Sequence, residues 1–292
     1  MVEPFCRICG SQRLVGHHDQ GYRQLIRCLD CRVVVADPLP SQAEKADTER
    51  GAYEGGCLPE ASEFFENCHR DFTEDAVIRG FRQALDWIGG FVRPGDLLDV
   101  GSGTGVFLHL ARDRGWQPSG LDLCEISAHK AAEEFDLQVD VGDFTDAGYE
   151  PCSFDCITMM DVVEHALDPA EFLQRAFSLL RPGGVLYVAV PNQRSLLTAI
   201  IDRYIWLGGI GGRWFLDRLY VEPHVYYFNP RALVLALGKA GFEVAGLRGG
   251  NVYLGRYRLS PWMRMPLEVV LQAGSLVGMS ARILVLAQKP VA

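Results

Sequence analysis

Residues 97–105 of this chain read LLDVGSGTG, and they decide its fold. An apolar run ends in Asp99, and glycines follow at positions 101, 103 and 105. A strand followed by a glycine turn and a helix N-terminus lets backbone N–H groups approach a ligand closely and favours an anionic group. The dinucleotide fingerprint GxGxxG fails here, because Val106 occupies the place of its third glycine. The stretch predicts a nucleotide-like cofactor, and the neighbouring loops must decide which one binds.

From residue 97 onward, short apolar runs alternate with stretches of helical periodicity. This alternation predicts an α/β fold with a parallel sheet and helices on both faces. A further helix, over residues 69–92, is predicted to pack on this domain. The predicted strands are 97–100, 117–122, 137–141, 155–159, 184–190, 242–248 and 282–288, and the predicted helices are 104–114, 126–135, 169–180 and 231–240.

Acidic residues end the next two predicted strands, in GLDL and VGDF. Asp122 is placed to accept hydrogen bonds from ribose hydroxyls, and Asp143 to receive an adenine amino group beside the ring of Phe144. With Asp99, they put three carboxylates in one crevice at the carboxyl ends of neighbouring strands. Three acids repel a pyrophosphate and suit a neutral adenosine joined to a cationic sulfonium and ammonium.

The motifs LDVGSGTG, GLDLCE, VGDF, FDCITMMDVVEHALDP and LLRPGGVLYVAVPN together resemble the class I S-adenosylmethionine-dependent methyltransferases, in order and in spacing. The resemblance covers about residues 80–290, and the motifs are most similar to those of the ubiquinone-biosynthesis O-methyltransferases. It implies a Rossmann-like seven-stranded sheet whose last strand is antiparallel.

The same resemblance implies roles for residues of the cofactor site. Asp99 acts beneath the glycine turn, and Met160 approaches the methionine part of the cofactor through its backbone. The remaining residues implied are Gly101, Gly103 and Gly105 at the methionine part, Asp122 with Leu123 at the ribose, and Asp143 with Phe144 at the adenine.

Two histidine-containing runs are candidates for the chemistry on the acceptor. In DVVEH, residues 161–165, His165 could act as a general base because it titrates near neutral pH. In ubiquinone-type relatives a run of this kind is associated with a divalent metal, which implies Asp161, Glu164 and His165 as ligands; a purely structural loop is the third interpretation. His224, in EPHVYYF, is the second candidate base or hydrogen-bond partner, with packing as its alternative.

The N-terminal segment contains two CxxC pairs with 18 residues between them. Cys6, Cys9, Cys28 and Cys31 match the four thiolates that tetrahedral zinc needs, so the segment is predicted to be a zinc ribbon; a redox pair is the alternative. His17 and His18 are interpreted as surface residues rather than ligands. The predicted organisation is a ribbon over residues 1–40, a connector over 41–75, and a methyltransferase domain over 76–292.

The methyltransferase domain contains a long apolar and aromatic insertion, at about residues 192–228. Long segments of this kind are often lids or binding elements. Its composition also fits a peripheral membrane contact through residues 192–222, whereas the simplest alternative is a helical hairpin packed on the sheet. Trp262, Met263, Met265 and Leu267 are expected to pack against it.

Composition narrows the class of function. A formal net charge of −9 argues against a broad nucleic-acid surface. The sequence has no run of 18 or more apolar residues and its N-terminus has no export signal, so we expect a cytoplasmic protein that is at most peripheral to a membrane. The expected activity is methyl transfer to a small-molecule, sugar or lipid-like acceptor, at oxygen before other atoms. An RNA methyltransferase that uses the ribbon and a non-catalytic cofactor-binding scaffold are the alternatives.

Overall fold

A computed structural model describes residues 5–41, 44, 76–209, 211–221, 224–254 and 259–291. The predicted connector lies outside these residues, apart from positions 41 and 44, as does the part of the predicted helix 69–92 that precedes residue 76.

A seven-stranded sheet forms the centre of the chain. Its strands are β4 (Asp96–Val100), β5 (Gln117–Asp122), β6 (Val139–Val141), β7 (Phe154–Met160), β8 (Leu180–Pro191), β10 (Glu243–Gly250) and β11 (Arg282–Gln288). They lie in the order β10-β11-β8-β7-β4-β5-β6. Five neighbouring strands are parallel, whereas β11 is antiparallel to both β8 and β10, so it alone runs against the others. The predicted Rossmann-like sheet with an antiparallel last strand is confirmed.

Helices cover both faces of this sheet because its buried strands alternate their side chains between two cores. Leu97 packs on one side with α1 (Ala76–Gly89), α2 (Val106–Arg112) and α3 (Glu125–Phe135). Leu98 packs on the other side with α4 (Pro169–Leu179) and α7 (Pro230–Lys239).

The ribbon strands are β1 (Leu14–Asp19), β2 (Gln24–Cys28) and β3 (Val34–Asp37), and they form one antiparallel sheet. A short strand of the main domain, β9 (Tyr226–Tyr227), pairs with β3 and extends that sheet to four strands. Ile8 and Val33 belong to the same hydrophobic cluster as the α4 and α7 side of the main domain. The ribbon therefore shares a core with the domain to which it is docked.

The insertion folds into two helices, α5 (Leu196–Trp206) and α6 (Gly212–Leu219). Leu216 and the fully buried Tyr220 pack on Leu25, Val34 and Ala36 of the ribbon. The insertion is thus a helical pair seated on the ribbon. No helix in the described ranges is long and apolar enough to cross a membrane.

Helix α8 (Pro261–Leu276) packs against α5 through its C-terminal half, where a Cβ on Gly274 would lie 3.2 Å from the Cβ of Leu196. Trp262 and Met265, in the N-terminal half, are 76% and 69% exposed. The expectation that these two side chains pack against the insertion is therefore wrong.

The interpretation of His17 and His18 as surface residues is also wrong. Their side chains are only 9% and 12% exposed, and both face Asp202 of α5, at Nε2–carboxylate distances of 3.6 and 3.0 Å. The Tyr220 hydroxyl and the Arg27 guanidinium each lie 2.8 Å from Nε2 of His17. Burial lowers the pKa of His17, so it stays neutral and accepts from Arg27. Although the three groups are close enough to share a metal ion, Arg27 already supplies the positive charge beside Asp202.

Candidate active site

A cavity of about 890 Å³ opens at the carboxyl ends of the parallel strands. This is where open α/β sheets bind ligands. The loops after β4, β5 and β6 line one half of the cavity, and the end of β7, the middle of β8, and strands β10 and β11 line the other. The order of the strands therefore divides the cavity into two halves.

The glycine turn after β4 forms the floor of the first half. Gly101 has a left-handed φ of 72°, and a Cβ there would lie 2.6 Å from a methyl group of Val162. The buried hydroxyl of Ser102 has no hydrogen-bond partner among the described residues. It lies against Gly120, where a Cβ would be only 2.7 Å away, so the turn packs tightly on β5.

Gly105 has a different role from the one that the resemblance implies. It is absent from the cavity lining and precedes α2 with a φ of 80°. A Cβ at this position would lie 2.9 Å from the Cβ of Ala131 in α3. Gly105 therefore lets α2 pack closely on α3, whereas Gly101 and Gly103 line the cavity.

Asp99 lies beneath the glycine turn, as expected. Its buried carboxylate accepts a hydrogen bond from Thr158 Oγ1 at 2.5 Å. Burial raises its pKa to about 7, opposed by the bond from Thr158 and reinforced by the charge of Asp122. Asp99 thereby links the end of β4 to β7 within the core.

Asp122 holds the turn in place from the second strand. One carboxylate oxygen accepts the N–H of Gly103 at 2.7 Å, and the other accepts the N–H of Cys124 at 2.9 Å. A carboxylate has about four lone-pair sites, so both oxygens can still accept a bond from a ribose hydroxyl. Leu123 is 46% exposed and lines the cavity beside it.

Asp143 and Phe144 line the same half, after β6. One oxygen of Asp143 accepts both the N–H and the hydroxyl of Thr145, which fixes the loop. The Phe144 ring packs on Phe172 with 4.8 Å between ring centroids. Met160, at the end of β7, borders both halves.

The two candidate histidines meet in the second half of the cavity. The rings of His165 and His224 lie edge to face with 4.8 Å between centroids. Burial, followed by the charges of His165 and of Arg23 and Arg282, lowers the pKa of His224 well below its usual value. His224 is therefore neutral at neutral pH and has a lone pair with which to accept a proton.

Asp161 is separate from this histidine pair. It adopts a left-handed φ of 57°, and its carboxylate pairs with Arg282 at 2.7 Å. The atoms that lie within 4.8 Å of one another belong to Glu164, His165 and His224. Both carboxyl oxygens of Glu164 are buried without a hydrogen-bond partner among the described residues, and burial, followed by the charge of the nearby Asp161, raises the pKa of this group well above its usual value. In this grouping His224 takes the place that the resemblance implies for Asp161.

Arg23 of the ribbon, which sequence reasoning missed, clamps the loop that carries His224. Its guanidinium donates to the carbonyls of His224, Tyr220 and Val221 at 2.9–3.1 Å, and to the Tyr227 hydroxyl at 2.7 Å. These partners lie about 200 residues away along the chain, so no local pattern indicates them. The ribbon thereby sets the position of a wall of the cavity.

The four ribbon cysteines form one cluster, with sulfur atoms all within 4.8 Å of one another. The Cys6–Cys31 and Cys9–Cys28 sulfur distances are 3.6 and 3.4 Å. The hydrogen bond with Cys31 lowers the pKa of Cys6 to about 5, despite burial. The geometry fits a tetrahedral thiolate site.

The fold and the divided cavity define a class: proteins that bind an adenosine-type cofactor on a Rossmann-like sheet. A family model for the methyltransferase domain matches residues 69–246, which is more than half of the chain. The chain belongs to this methyltransferase family and is an S-adenosylmethionine-dependent methyltransferase.

Curated relatives point to the same family. The chain is 28% identical over 221 residues to the ubiquinone biosynthesis O-methyltransferase of Leptothrix cholodnii, covering 69% of this chain and 90% of the relative. It is 29% identical over 220 residues to the enzyme of that name from Ralstonia nicotianae, and the match covers 69% of this chain and 88% of the relative.

Solved structures share the fold at lower identity. A Haloferax volcanii methyltransferase, solved in complex with the Trm112 methyltransferase activator, superposes with a TM-score of 0.52 at 19% identity, covering 85% of this chain and 96% of that one. A SAM-dependent methyltransferase from Archaeoglobus fulgidus superposes with a TM-score of 0.51 at 19% identity, covering 72% and 93%.

The Asp122→Ala variant tests the cofactor half. Loss of the charged acceptor assigned to the ribose hydroxyls should cost about 1.5–3 kcal/mol of binding, or roughly tenfold to a hundredfold in Kd for S-adenosylmethionine. Calorimetric titration measures this. Asp140→Ala, which removes only a partner of the Tyr149 hydroxyl, is the control. An unchanged affinity in Asp122→Ala would refute the assignment.

Proposed function

We propose that this methyltransferase transfers its methyl group to an oxygen of a small-molecule, sugar or lipid-like acceptor. One observation carries the proposal: beside the predicted cofactor residues, the cavity has a second half that is lined by His165 and His224, whose rings lie edge to face. The O-methyltransferase names of the curated relatives support attack by oxygen.

The reaction is an in-line displacement at an activated sulfonium. Orientation of the two reactants lowers the barrier most, and a base adds about 10²–10⁴-fold where the acceptor must lose a proton. Among His165, His224 and Asp161, we assign the proton to His224, because it is neutral and faces the cavity. In this scheme His165 orients His224, and Asp161 holds Arg282.

A divalent cation is the second way to activate an acceptor oxygen at this place. The unpartnered oxygens of Glu164 and the ring nitrogens of His165 and His224 are a chemically suitable donor set. A bound cation would polarise the acceptor hydroxyl. To separate this scheme from base catalysis, the protein is dialysed against EDTA, and Mg²⁺ alone or Zn²⁺ alone is then returned. Recovery of activity with Mg²⁺ alone contradicts the assignment of His224 as the base.

The direct test of the proposed function follows a radiolabelled methyl group. The protein, incubated with labelled S-adenosylmethionine and an extract of its source cells, should label a compound of low mass, and acid hydrolysis should assign the label to an ether or ester oxygen. Label in RNA would instead support the alternative function, an RNA methyltransferase that uses the ribbon to bind RNA. Cofactor binding with no labelled product would support a scaffold.

The pH dependence of the labelling rate tests His224. Because its pKa is lowered, the rate should rise with pH through a value below 6.5 and stay level from neutral to mildly alkaline pH. His224→Gln should lose this rise and about 10²–10⁴-fold in rate. His129→Gln, on the exposed face of α3, is the control. Retention of the pH limb in His224→Gln would exclude His224 as the base.

We further propose that the cysteine cluster holds one zinc ion that keeps the ribbon docked. Cys28→Ser should bring the metal content well below the expected one zinc per chain and lower Tm by roughly 5 °C or more, since zinc binding contributes to folding. Cys152→Ser is the control, because Cys152 is exposed and outside the cluster. Metal analysis of the unaltered protein that finds no zinc would refute the site.

A peripheral membrane contact through residues 192–222 is our proposal for the insertion. Trp206 and Trp214 are 72% and 46% exposed, and the guanidinium groups of Arg203 and Arg218 stack on them at 4.3 and 3.8 Å. Exposed aromatic rings beside cations are typical of surfaces that meet anionic lipid.

Vesicle flotation tests this contact. Phosphatidylglycerol vesicles should carry the protein upward, and the double variant Trp206→Ser, Trp214→Ser should weaken the partition roughly tenfold or more. Val291→Ser removes a comparably exposed apolar side chain elsewhere. Equal flotation of all three proteins, or none, would contradict the proposal.

A further inference from the structure

Two arginines lie on one side of the sheet in the second half of the cavity. In the β10–β11 pair, Arg248 is opposite Leu284 and Gly250 is opposite Arg282. Alternate residues of a strand share a face, so Arg248 and Arg282 are diagonal neighbours at about 7–8 Å. Both line the cavity.

The two guanidinium groups differ in their partners. Arg282 is paired with Asp161 at 2.7 Å. Arg248 stacks on the Trp87 ring at 4.2 Å and has no carboxylate within salt-bridge distance among the described residues. A guanidinium that stacks on a ring keeps its edge free to donate two parallel hydrogen bonds, which is the geometry that a carboxylate or phosphate accepts.

This positive charge is on the acceptor side of the cavity. The carboxylates of the cofactor half follow β4, β5 and β6, whereas Arg248 and Arg282 lie on β10 and β11, across β7 and β8. Tyr187 of β8 and Trp87 of α1, with 6.0 Å between their rings, form an aromatic wall between these arginines and the core.

We infer that the acceptor carries an anionic group, a carboxylate or a phosphate ester, which Arg248 binds together with Arg282. The aromatic wall packs against the apolar body of the acceptor, and its hydroxyl then faces His224. This inference rests on the proposed function and adds to it the chemical class of the substrate.

The charge of the labelled product tests the inference whichever compound in the extract is the acceptor. The labelled product should bind to an anion exchanger at pH 7. Loss of binding after phosphatase treatment identifies a phosphate, and resistance identifies a carboxylate. A neutral or cationic product overturns the inference and leaves the methyltransferase assignment intact, whereas failure of the unaltered protein to bind S-adenosylmethionine defeats the proposed function itself.

Variants at Arg248 test the same point from the side of the protein. Arg248→Gln should raise the KM for the extract's acceptor roughly tenfold or more, while the Kd for S-adenosylmethionine stays unchanged, and Arg248→Lys should recover part of the loss. Arg231→Gln, on the exposed face of α7, is the matched control. An unchanged KM overturns the inference. A weakened cofactor Kd also overturns it, since Arg248 would then bind the carboxylate of the cofactor.

A binding experiment needs no turnover. The complex with S-adenosylhomocysteine should bind benzoate or phenyl phosphate in preference to the neutral benzamide, measured by fluorescence of the tryptophans or by calorimetry. Arg248→Gln should abolish this preference. Equal responses to the three probes, or none, would count against an anionic acceptor.

Discussion

The hydrogen bond from the Gly103 N–H to the Asp122 carboxylate is the contact on which the binding half of this enzyme depends. It joins the turn after β4 to the end of β5. The same carboxylate accepts the N–H of Cys124, the residue immediately before α3. One side chain thereby sets the positions of two loops and a helix. Asp99 lies in the core beneath the turn, where it is bonded to Thr158 of β7, and the glycines of the turn have left-handed φ angles. The acid at the end of β5 thus fixes the backbone that surrounds the cavity.

A second set of contacts makes the acceptor half depend on the ribbon. Strand β3 pairs with β9, which begins two residues after His224. Arg23 donates to the carbonyls of Val221 and His224 in the loop before β9. The Asp202 network ties β1 to the insertion in the same region. The ribbon, the insertion and the loop that carries His224 are therefore held together by direct contacts.

The sheet and the cofactor half could be predicted from the sequence because their signals are local. An apolar run, a glycine turn and an acid lie within nine residues, and Val106 excludes a dinucleotide. The structure refines that reasoning: Gly105 allows close packing between α2 and α3. Arg23, Arg248 and Arg282 could not be identified in this way, since their roles come from pairings between distant strands.

The acidic and basic side chains that line the cavity lie on different strands of the sheet. Carboxylates lie at the ends of β4, β5 and β6, and guanidinium groups lie on β10 and β11, with β7 and β8 between the two sets. The strand order keeps these groups apart, so that neither set neutralises the other. A cationic sulfonium and an anionic acceptor would then enter from opposite sides of one cavity, each held by charges of the opposite sign, with the neutral imidazole of His224 near their meeting point.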